Sequence, residues 1–214
     1  FDKVVVSSDS RMYLDLVYRY GVTTHLRPEQ FASDLSPDYE WVAHLLGTMQ
    51  NRTDKARWDA FAILRPTSPF RTAATIRRAW AQFQAQQPAD SLRAVELCKQ
   101  HPAKMWVIVH SPHFPILGVH SLWYQEQRIS NQPLHSVPYQ LLPEVYVQNA
   151  SLEIAWTRVV FGQCTISGDT ILPFFTEGYE GFDINREEDW ILAEALLERG
   201  LVTLPDIGKN VKEP

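Results

Sequence analysis

An apolar strand that runs into a proline-rich loop and then into an amphipathic helix constrains the fold of this chain most. The run 58–64 ends at Arg65-Pro66-Thr67-Ser68-Pro69, because prolines end the pairing of a strand. Segment 72–87 repeats its apolar residues with the helical period. Open parallel sheets bind phosphorylated ligands where such a strand end meets a helix N-terminus. On these residues alone, a turn with solvated arginines is slightly preferred over a phosphate-binding loop.

The rest of the chain repeats this alternation of strands and helices. Ser10 and Asp38 are placed to begin two helices, and a further helix is expected at 189–199. We expect Met12, Leu16 and Tyr20 to share one face of the first helix. Strands are predicted at 4–6, 22–26, 91–95, 105–109 (buried) and 145–156. Strand and helix in succession indicate an α/β fold with a mostly parallel sheet.

Composition limits the partners of the chain. The formal net charge of −5 over 214 residues gives no general attraction to nucleic acid or to anionic membranes. No apolar run is long enough to span a bilayer. Cys98 and Cys164 lie far apart and form no CxxC motif, which is typical of reduced thiols in a cytoplasmic protein. We therefore expect one cytoplasmic domain, 1–214, with no nucleic acid and no membrane partner.

Two segments interrupt the regular pattern. The range 110–143 contains five prolines and no sustained period, which predicts an arm, in part a hairpin, that contacts a partner. The tail 209–214 is expected to fray. The chain begins at Phe1, within a connection that leads into a strand, so we expect a further segment to precede it.

Asp183 and Asn185 form a candidate cation site before the last helix. In an extended segment, residues two apart project to the same side, so a carboxylate and an amide could share one hard cation. The alternative for Asn185 is an N-cap paired with Glu188, and it is the preferred interpretation. Asp183 then remains available as a ligand.

Three cations follow or precede predicted strands. Arg27 could hold a phosphate or a base edge, or it could be an ordinary surface arginine. Arg93 and Lys104 flank a predicted turn and could hold the carboxylate of an acidic substrate, or they could be solvated charges. The local sequence leaves these alternatives open.

Seven collinear stretches resemble motifs of one enzyme family. The most specific is 64–71, which is similar to L-Q-P-T-S-P-L-R. The other stretches are 5–10 (V-V-S-[ST]-D-S), 26–34 (R-P-x-x-[LF]-A-x-D), 90–95 (D-S-[VL]-x-[SA]-V), 101–104 (H-P-x-K), 143–154 (L-P-x-x-Y-x-x-N-G-[AS]-[IL]-[YE]-I) and 182–194 ([IF]-D-I-[DN]-x-x-x-D-x-x-x-A-E). Together they resemble the acylneuraminate cytidylyltransferases, the CMP-sialic acid synthetases and their relatives, over nearly the whole chain.

The resemblance implies a Rossmann-like three-layer nucleotidyltransferase fold and a homodimer in which the arm crosses to the second subunit. It implies that an acidic nine-carbon sugar attacks the α-phosphorus of CTP and that pyrophosphate leaves, with Mg²⁺ as cofactor. The implied catalytic residues are Asp183 and Arg65, and the implied metal ligands are Asp183 and Asn185. The implied nucleotide-binding residues are Ser8, Asp9, Arg27, Ser36, Thr67 and Ser68. The implied sugar-binding residues are Arg93, Lys104, Gln140 and Asn149.

The sequence departs from the family pattern at four places. The usual opening A-R-x-G-S-[KQ]-x-[IL]-x-x-K-N, which grips the triphosphate, belongs before Phe1. Arg65 stands where the family has glutamine, Tyr139 where it often has arginine, and Asn185 where it has a second aspartate. Two alternatives therefore accompany CMP-sugar synthesis. One is a non-catalytic nucleotide-binding relative or assembly domain, and the other is a sugar nucleotidyltransferase with another base or sugar.

Overall fold

A computed structural model describes residues 1–52, 58–110, 117–121 and 128–205 of the chain. Its α-helices are α1 (Arg11–Tyr18), α2 (Asp38–Arg52), α3 (Ala73–Ala85), α4 (Thr157–Gln163) and α5 (Glu187–Glu198). Its strands are β1 (Val5–Ser8), β2 (Thr23–Leu26), β3 (Ala60–Ile63), β4 (Ser91–Leu97), β5 (Trp106–His110), β6 (Leu117–Ser121), β7 (Arg128–Ile129), β8 (Gln132–Pro133), β9 (Tyr146–Trp156) and β10 (Ile171–Phe175).

The chain separates into two compact units. The first consists of Phe1–Ala94 and Asn149–Pro214, and the second is Val95–Gln148. The predicted tail 209–214 lies outside the described residues. No helix within the described ranges is long and apolar enough to cross a membrane.

The first unit confirms the α/β class, with a sheet that is mixed. β1 and β2 pair in parallel, with α1 between them in the chain. Four strands form a second sheet in the order β10-β4-β9-β3, and β3 pairs with β9 in the antiparallel sense. This antiparallel pair accompanies the parallel pair of β1 and β2. β9 follows a long excursion of the chain and is not joined to β3 by a simple helical crossover, which is what imposes parallel pairing.

A cluster of side chains with 0–1% exposure forms the main core of the first unit. Phe83 of α3 packs with Leu92, Ile154 and Phe174 from three neighbouring strands. The helix predicted over 72–87 is present as α3, and Thr72 caps it by accepting a hydrogen bond from Thr75 N at 3.2 Å. The cap fixes where the loop after β3 ends.

The apolar side predicted for α1 is not the side that the helix buries. Met12, Leu16 and Tyr20 are all exposed, and Leu14 is the side chain that the helix buries. The helix itself begins after Ser10, as predicted. Packing selected a different side of the helix because α1 has apolar residues on more than one face.

The second unit contains two antiparallel pairs, β5 with β6 and β7 with β8. Trp106 and Val107 of β5 are 46% and 43% exposed, so the prediction of a fully buried strand is wrong there. The predicted arm 110–143 falls within this unit, and its residues 111–116 and 122–127 lie outside the described ranges. Its passage to a second subunit stays a prediction.

Candidate active site

The loop between β3 and α3 is held in place by main-chain and arginine contacts. Ser68 N donates to Arg65 O at 3.3 Å, which closes a turn that contains Pro66. The guanidinium of Arg71 donates to Arg65 O at 3.3 Å and also to Ser151 O on β9. Burial lowers the pKa of Arg71 from its ordinary value. The loop is therefore anchored to the sheet rather than solvated.

Arg65 lies between two carboxylates. Its Nη2 atom pairs with Asp38 at the start of α2, and the same atom lies 3.3 Å from Glu153 Oε1 on β9. Glu153 also pairs with Arg93 of β4. These four side chains form a charge network, Asp38–Arg65–Glu153–Arg93, that joins α2, the loop and two strands.

Burial distinguishes this network from surface ion pairs. Glu153 and Arg93 are 4% and 8% exposed, so each depends on its partners for compensation of its charge. Burial lowers the pKa of Arg93 from its ordinary value. Arg93 is therefore not a solvated charge, whereas the side chain of Arg65, although paired with two carboxylates, remains 32% exposed.

Asp38 is the partly buried end of the network. Burial acts to raise the pKa of its carboxyl, but hydrogen bonds from Arg65 and from Trp41 outweigh it and hold the pKa below its ordinary value. The indole N–H of Trp41 donates to Asp38 Oδ1 at 2.8 Å. Asp38 is thus a carboxylate with both oxygens engaged.

Arg27 follows β2 and is only partly exposed. It donates to Ser7 Oγ at 3.4 Å and to Ser7 O at 3.3 Å, and its guanidinium lies 4.7 Å from the ring centroid of Trp41. Burial lowers the pKa of Arg27, and the neighbouring Asp9 and Asp38 act to raise it. Within the described residues Arg27 forms no ion pair with a carboxylate. Arg27 is therefore ordered by Ser7 and Trp41, and its part in binding a phosphate stays a prediction.

The other residues predicted to bind nucleotide lie in the same unit. Ser8 ends β1, its hydroxyl accepts from Ser10 N at 3.1 Å, and Asp9 next to it is exposed. Ser36 contacts the hydroxyl of Ser33 at 2.9 Å, just before α2. Ser68 is 3% exposed, and its hydroxyl finds no hydrogen-bond partner in the described part of the chain. A shielded hydroxyl of this kind is able to donate to a ligand.

Asp183 is joined to the proline-rich loop through its neighbour in sequence. Ile184 N donates to Thr67 O at 2.9 Å, so segment 183–185 runs beside the loop. Asp183 Oδ2 accepts from Asn185 Nδ2 at 2.9 Å, while Asp183 Oδ1 is shielded from solvent and has no partner among the described residues. A buried carboxylate oxygen without a donor is costly, and a cation would compensate it.

The prediction that Asn185 caps the last helix with Glu188 is wrong. The cap carboxylate is Asp189, whose Oδ2 accepts from Asn185 N and Arg186 N, both at 3.0 Å. α5 accordingly begins at Glu187. Asn185 is left pointing its amide at Asp183, so the pair remains a candidate for one cation site.

A divalent cation fits this pair in part. No group of three or more His, Cys, Asp or Glu is arranged to hold a metal within the described ranges. Magnesium, however, commonly takes one or two protein carboxylates and completes its shell with water and substrate phosphates. Asp183 Oδ1 supplies one such oxygen.

The residues predicted to bind sugar are divided between the two units. In the first unit, Asn149 Oδ1 accepts from Ser151 Oγ at 2.7 Å, and its amide donates to Thr176 Oγ1 at 3.1 Å. In the second unit, Lys104 Nζ donates to two main-chain carbonyls, His135 O at 2.7 Å and Val137 O at 2.6 Å. These contacts order both side chains.

The second unit also contains Gln140, which was predicted to bind sugar, and its neighbour Tyr139. Gln140 is exposed, and the hydroxyl of its neighbour Tyr139 donates to Lys99 O at 2.7 Å. The part that Lys104 and Gln140 play in binding stays a prediction.

Sequence reasoning missed Asp38, Trp41 and Glu153 as members of the site. Glu153 had a recognisable signal, because a carboxylate inside the otherwise apolar stretch 152–156 requires a buried partner. Asp38 was identified only as a helix start.

The α/β fold is similar to that of two solved synthases. A CMP-2-keto-3-deoxy-manno-octonic acid synthetase, solved in complex with CTP, superposes with a TM-score of 0.58 and 11% identity, covering 92% of this chain and 81% of the other. The 4-diphosphocytidyl-2C-methyl-D-erythritol synthase of Anaerococcus prevotii gives a TM-score of 0.54 and 10% identity, covering 93% and 80%. At these identities the likeness concerns the fold.

Two curated proteins are similar to the chain in sequence. The chain is 27% identical over 200 residues to a CMP-N,N'-diacetyllegionaminic acid synthase of Legionella pneumophila, covering 92% of this chain and 78% of that protein. It is 38% identical over 84 residues to an N-acylneuraminate cytidylyltransferase of Escherichia coli, covering 39% of this chain but only 19% of the length of that enzyme. No protein-family model matches. The resemblance to the acylneuraminate cytidylyltransferases is confirmed by these similarities.

Proposed function

We propose that this protein transfers CMP from CTP to an acidic, sialic-acid-like sugar and releases pyrophosphate. The observation that carries the proposal is the shielded, unpartnered Oδ1 of Asp183, held beside the proline-rich loop by the Ile184–Thr67 hydrogen bond. The names of the two sequence relatives support the same reaction.

The protein's own groups would bind and align the reactants. Phosphoryl transfer depends on positioning and on compensation of charge on the phosphate oxygens. Arg27, a guanidinium without a carboxylate partner within the described ranges, would hold a phosphate of CTP. The shielded hydroxyl of Ser68 would donate to the nucleotide, and Ser8, Asp9, Ser36 and Thr67 would line the same end of the strands.

Asp183 and Asn185 would hold a divalent cation, which we take to be Mg²⁺. When bound, the ion would supply Lewis-acid compensation of the phosphate charge. Asp183 would offer Oδ1, and Asn185 would keep the other carboxylate oxygen in place through its amide. The remaining ligands would be water and phosphate oxygens.

The sugar-binding residues, the oligomer and the location complete the proposal. Lys104, Gln140 and Asn149 would contact the acidic sugar, and the segment 110–143 would contact a second copy in a homodimer. A cytoplasmic location agrees with Cys98 and Cys164, which are both free thiols.

Release of pyrophosphate tests the function. The full-length protein is incubated with CTP, Mg²⁺ and a panel of nonulosonic acids, and we expect turnover with at least one sugar. An Asp183→Asn variant serves as the inactive control. Replacement of CTP by UTP or GTP distinguishes a transferase with another base, and CTP binding without turnover on every sugar would select the non-catalytic alternative.

A further inference from the structure

The network around Arg65 leads to a role for that residue in nucleotide binding. We propose that Arg65 is a positioning residue that holds the carboxylate of Asp38 and thereby keeps Arg27 available for the phosphates of CTP. The inference rests on the proposed function, because it takes CTP as the ligand of Arg27.

The first step is that Arg27 and Asp38 both contact the indole of Trp41. Trp41 lies 4.7 Å from the Arg27 guanidinium, measured to the ring centroid, and its N–H donates to Asp38 Oδ1 at 2.8 Å. A guanidinium and a carboxylate that flank one indole are natural ion-pair partners. Within the described residues, however, Arg27 and Asp38 do not pair.

The second step is that Arg65 occupies the remaining oxygen of Asp38. The Arg65 guanidinium pairs with Asp38 Oδ2, while Oδ1 accepts from Trp41. Both charges act on Arg27, since Asp38 raises its pKa and Arg65 lowers it. Asp9 also raises the pKa of Arg27, but it is exposed and stays constant in every variant below. Without Arg65, Asp38 would compete with phosphate for Arg27.

The third step is that Arg65 can be removed without leaving a buried, uncompensated carboxylate. Glu153 retains its ion pair with Arg93, and Asp38 is at the partly exposed start of α2. Arg65→Gln is therefore expected to fold. Glutamine is also the residue that the resembled family carries at this position.

Equilibrium binding of CTP to five proteins tests the proposal: wild type, Arg65→Gln, Asp38→Asn, the double variant and the control Arg158→Gln. Arg65→Gln should weaken CTP binding roughly threefold to tenfold, the range of one partly buried ion pair. Asp38→Asn should restore most of the loss in the Arg65→Gln background, so that the double variant binds CTP about as tightly as Asp38→Asn alone. A merely structural role of Arg65 would not be reversed by removal of a second charge.

The control and the contrary outcomes separate the possibilities. Arg158 pairs with Asp90 at 2.7 Å, and Asp90 keeps two main-chain donors without it, so Arg158→Gln should leave the Kd unchanged. An equal effect of Asp38→Asn in both backgrounds, or an unaltered Kd for Arg65→Gln, would overturn the inference. CTP binding with the predicted coupling but no pyrophosphate release would refute only the proposed function. Failure of the wild type to bind CTP would overturn both.

Discussion

Replacement of Glu153 by glutamine removes the carboxylate shared by Arg65 and Arg93 while nearly preserving the volume of the side chain. The side chains of Glu153 and Arg93 are 6% and 10% exposed, so solvent compensates little of the charge that is left. Arg65 keeps Asp38, whereas Arg93 forms no other ion pair within the described residues. The variant thus leaves one buried guanidinium without a carboxylate.

Breaking a buried ion pair from one side costs about 3–5 kcal/mol, and glutamine retains one acceptor, so we expect about 3 kcal/mol. For a chain of this size, 1 kcal/mol corresponds to about 2–4 °C, so the melting temperature should fall by roughly 6–12 °C. The assay is differential scanning calorimetry, with urea unfolding as the second measurement.

The matched control is Glu177→Gln. Glu177 pairs with Arg78 at 2.9 Å, but its side chain is 75% exposed, and such pairs contribute at most about 1 kcal/mol. If Glu153→Gln and Glu177→Gln lowered the melting temperature by the same small amount, the assignment of a buried charge network would be refuted.

Three further changes follow from the same structure. Asp183→Asn should lower turnover about a hundredfold or more by weakening the proposed cation site, and added Mg²⁺ should restore part of it, whereas full activity at low Mg²⁺ would exclude Asp183 as a ligand. Gly168→Ala should destabilise the protein by about 2 kcal/mol or more in urea unfolding, because φ is +69° and the new Cβ would lie 2.4 Å from Asp90 Cβ; unchanged stability would contradict the contact. Hydrogen bonds from Thr170 N and Asp169 N lower the pKa of Asp90, so the stability that this group contributes is present above its unfolded pKa of about 4 and is lost as the pH falls through the lower folded pKa. The difference in unfolding free energy between wild type and Asp90→Asn should therefore shrink below about pH 4, and a constant difference down to pH 2 would disprove the linkage.

Local signals predicted the elements that position the site. Asp38 starts α2 and Thr72 caps α3, and both boundaries depend on polar side chains close in sequence. The identity of the last helix was predicted, but its cap was assigned to Glu188 rather than Asp189. Which of the two adjacent carboxylates, Glu188 or Asp189, caps the helix depends on the residue at which the backbone enters it. The local sequence does not determine that residue.

Tertiary contacts account for the remaining differences. Arg65 and Glu153 are separated by 88 positions, so no window of sequence pairs them. On α5, Trp190 is 56% exposed whereas Ala193 is buried. A period places residues on a common face, but only the surrounding structure decides which face is covered. α4 was missed because it is short and directly follows the long strand β9, and β10 was missed because it is short and contains Pro173.

The sharing of Glu153 by two guanidinium groups also restricts the order in which these positions can change. Arg65 has two carboxylate partners, Asp38 and Glu153, whereas Arg93 pairs with Glu153 alone among the described residues. Replacement of Arg65 by glutamine leaves Glu153 paired with Arg93. Loss of Glu153 first would instead leave the buried guanidinium of Arg93 without a carboxylate. Proteins that evolve from this chain should therefore lose Arg65 before they lose Glu153.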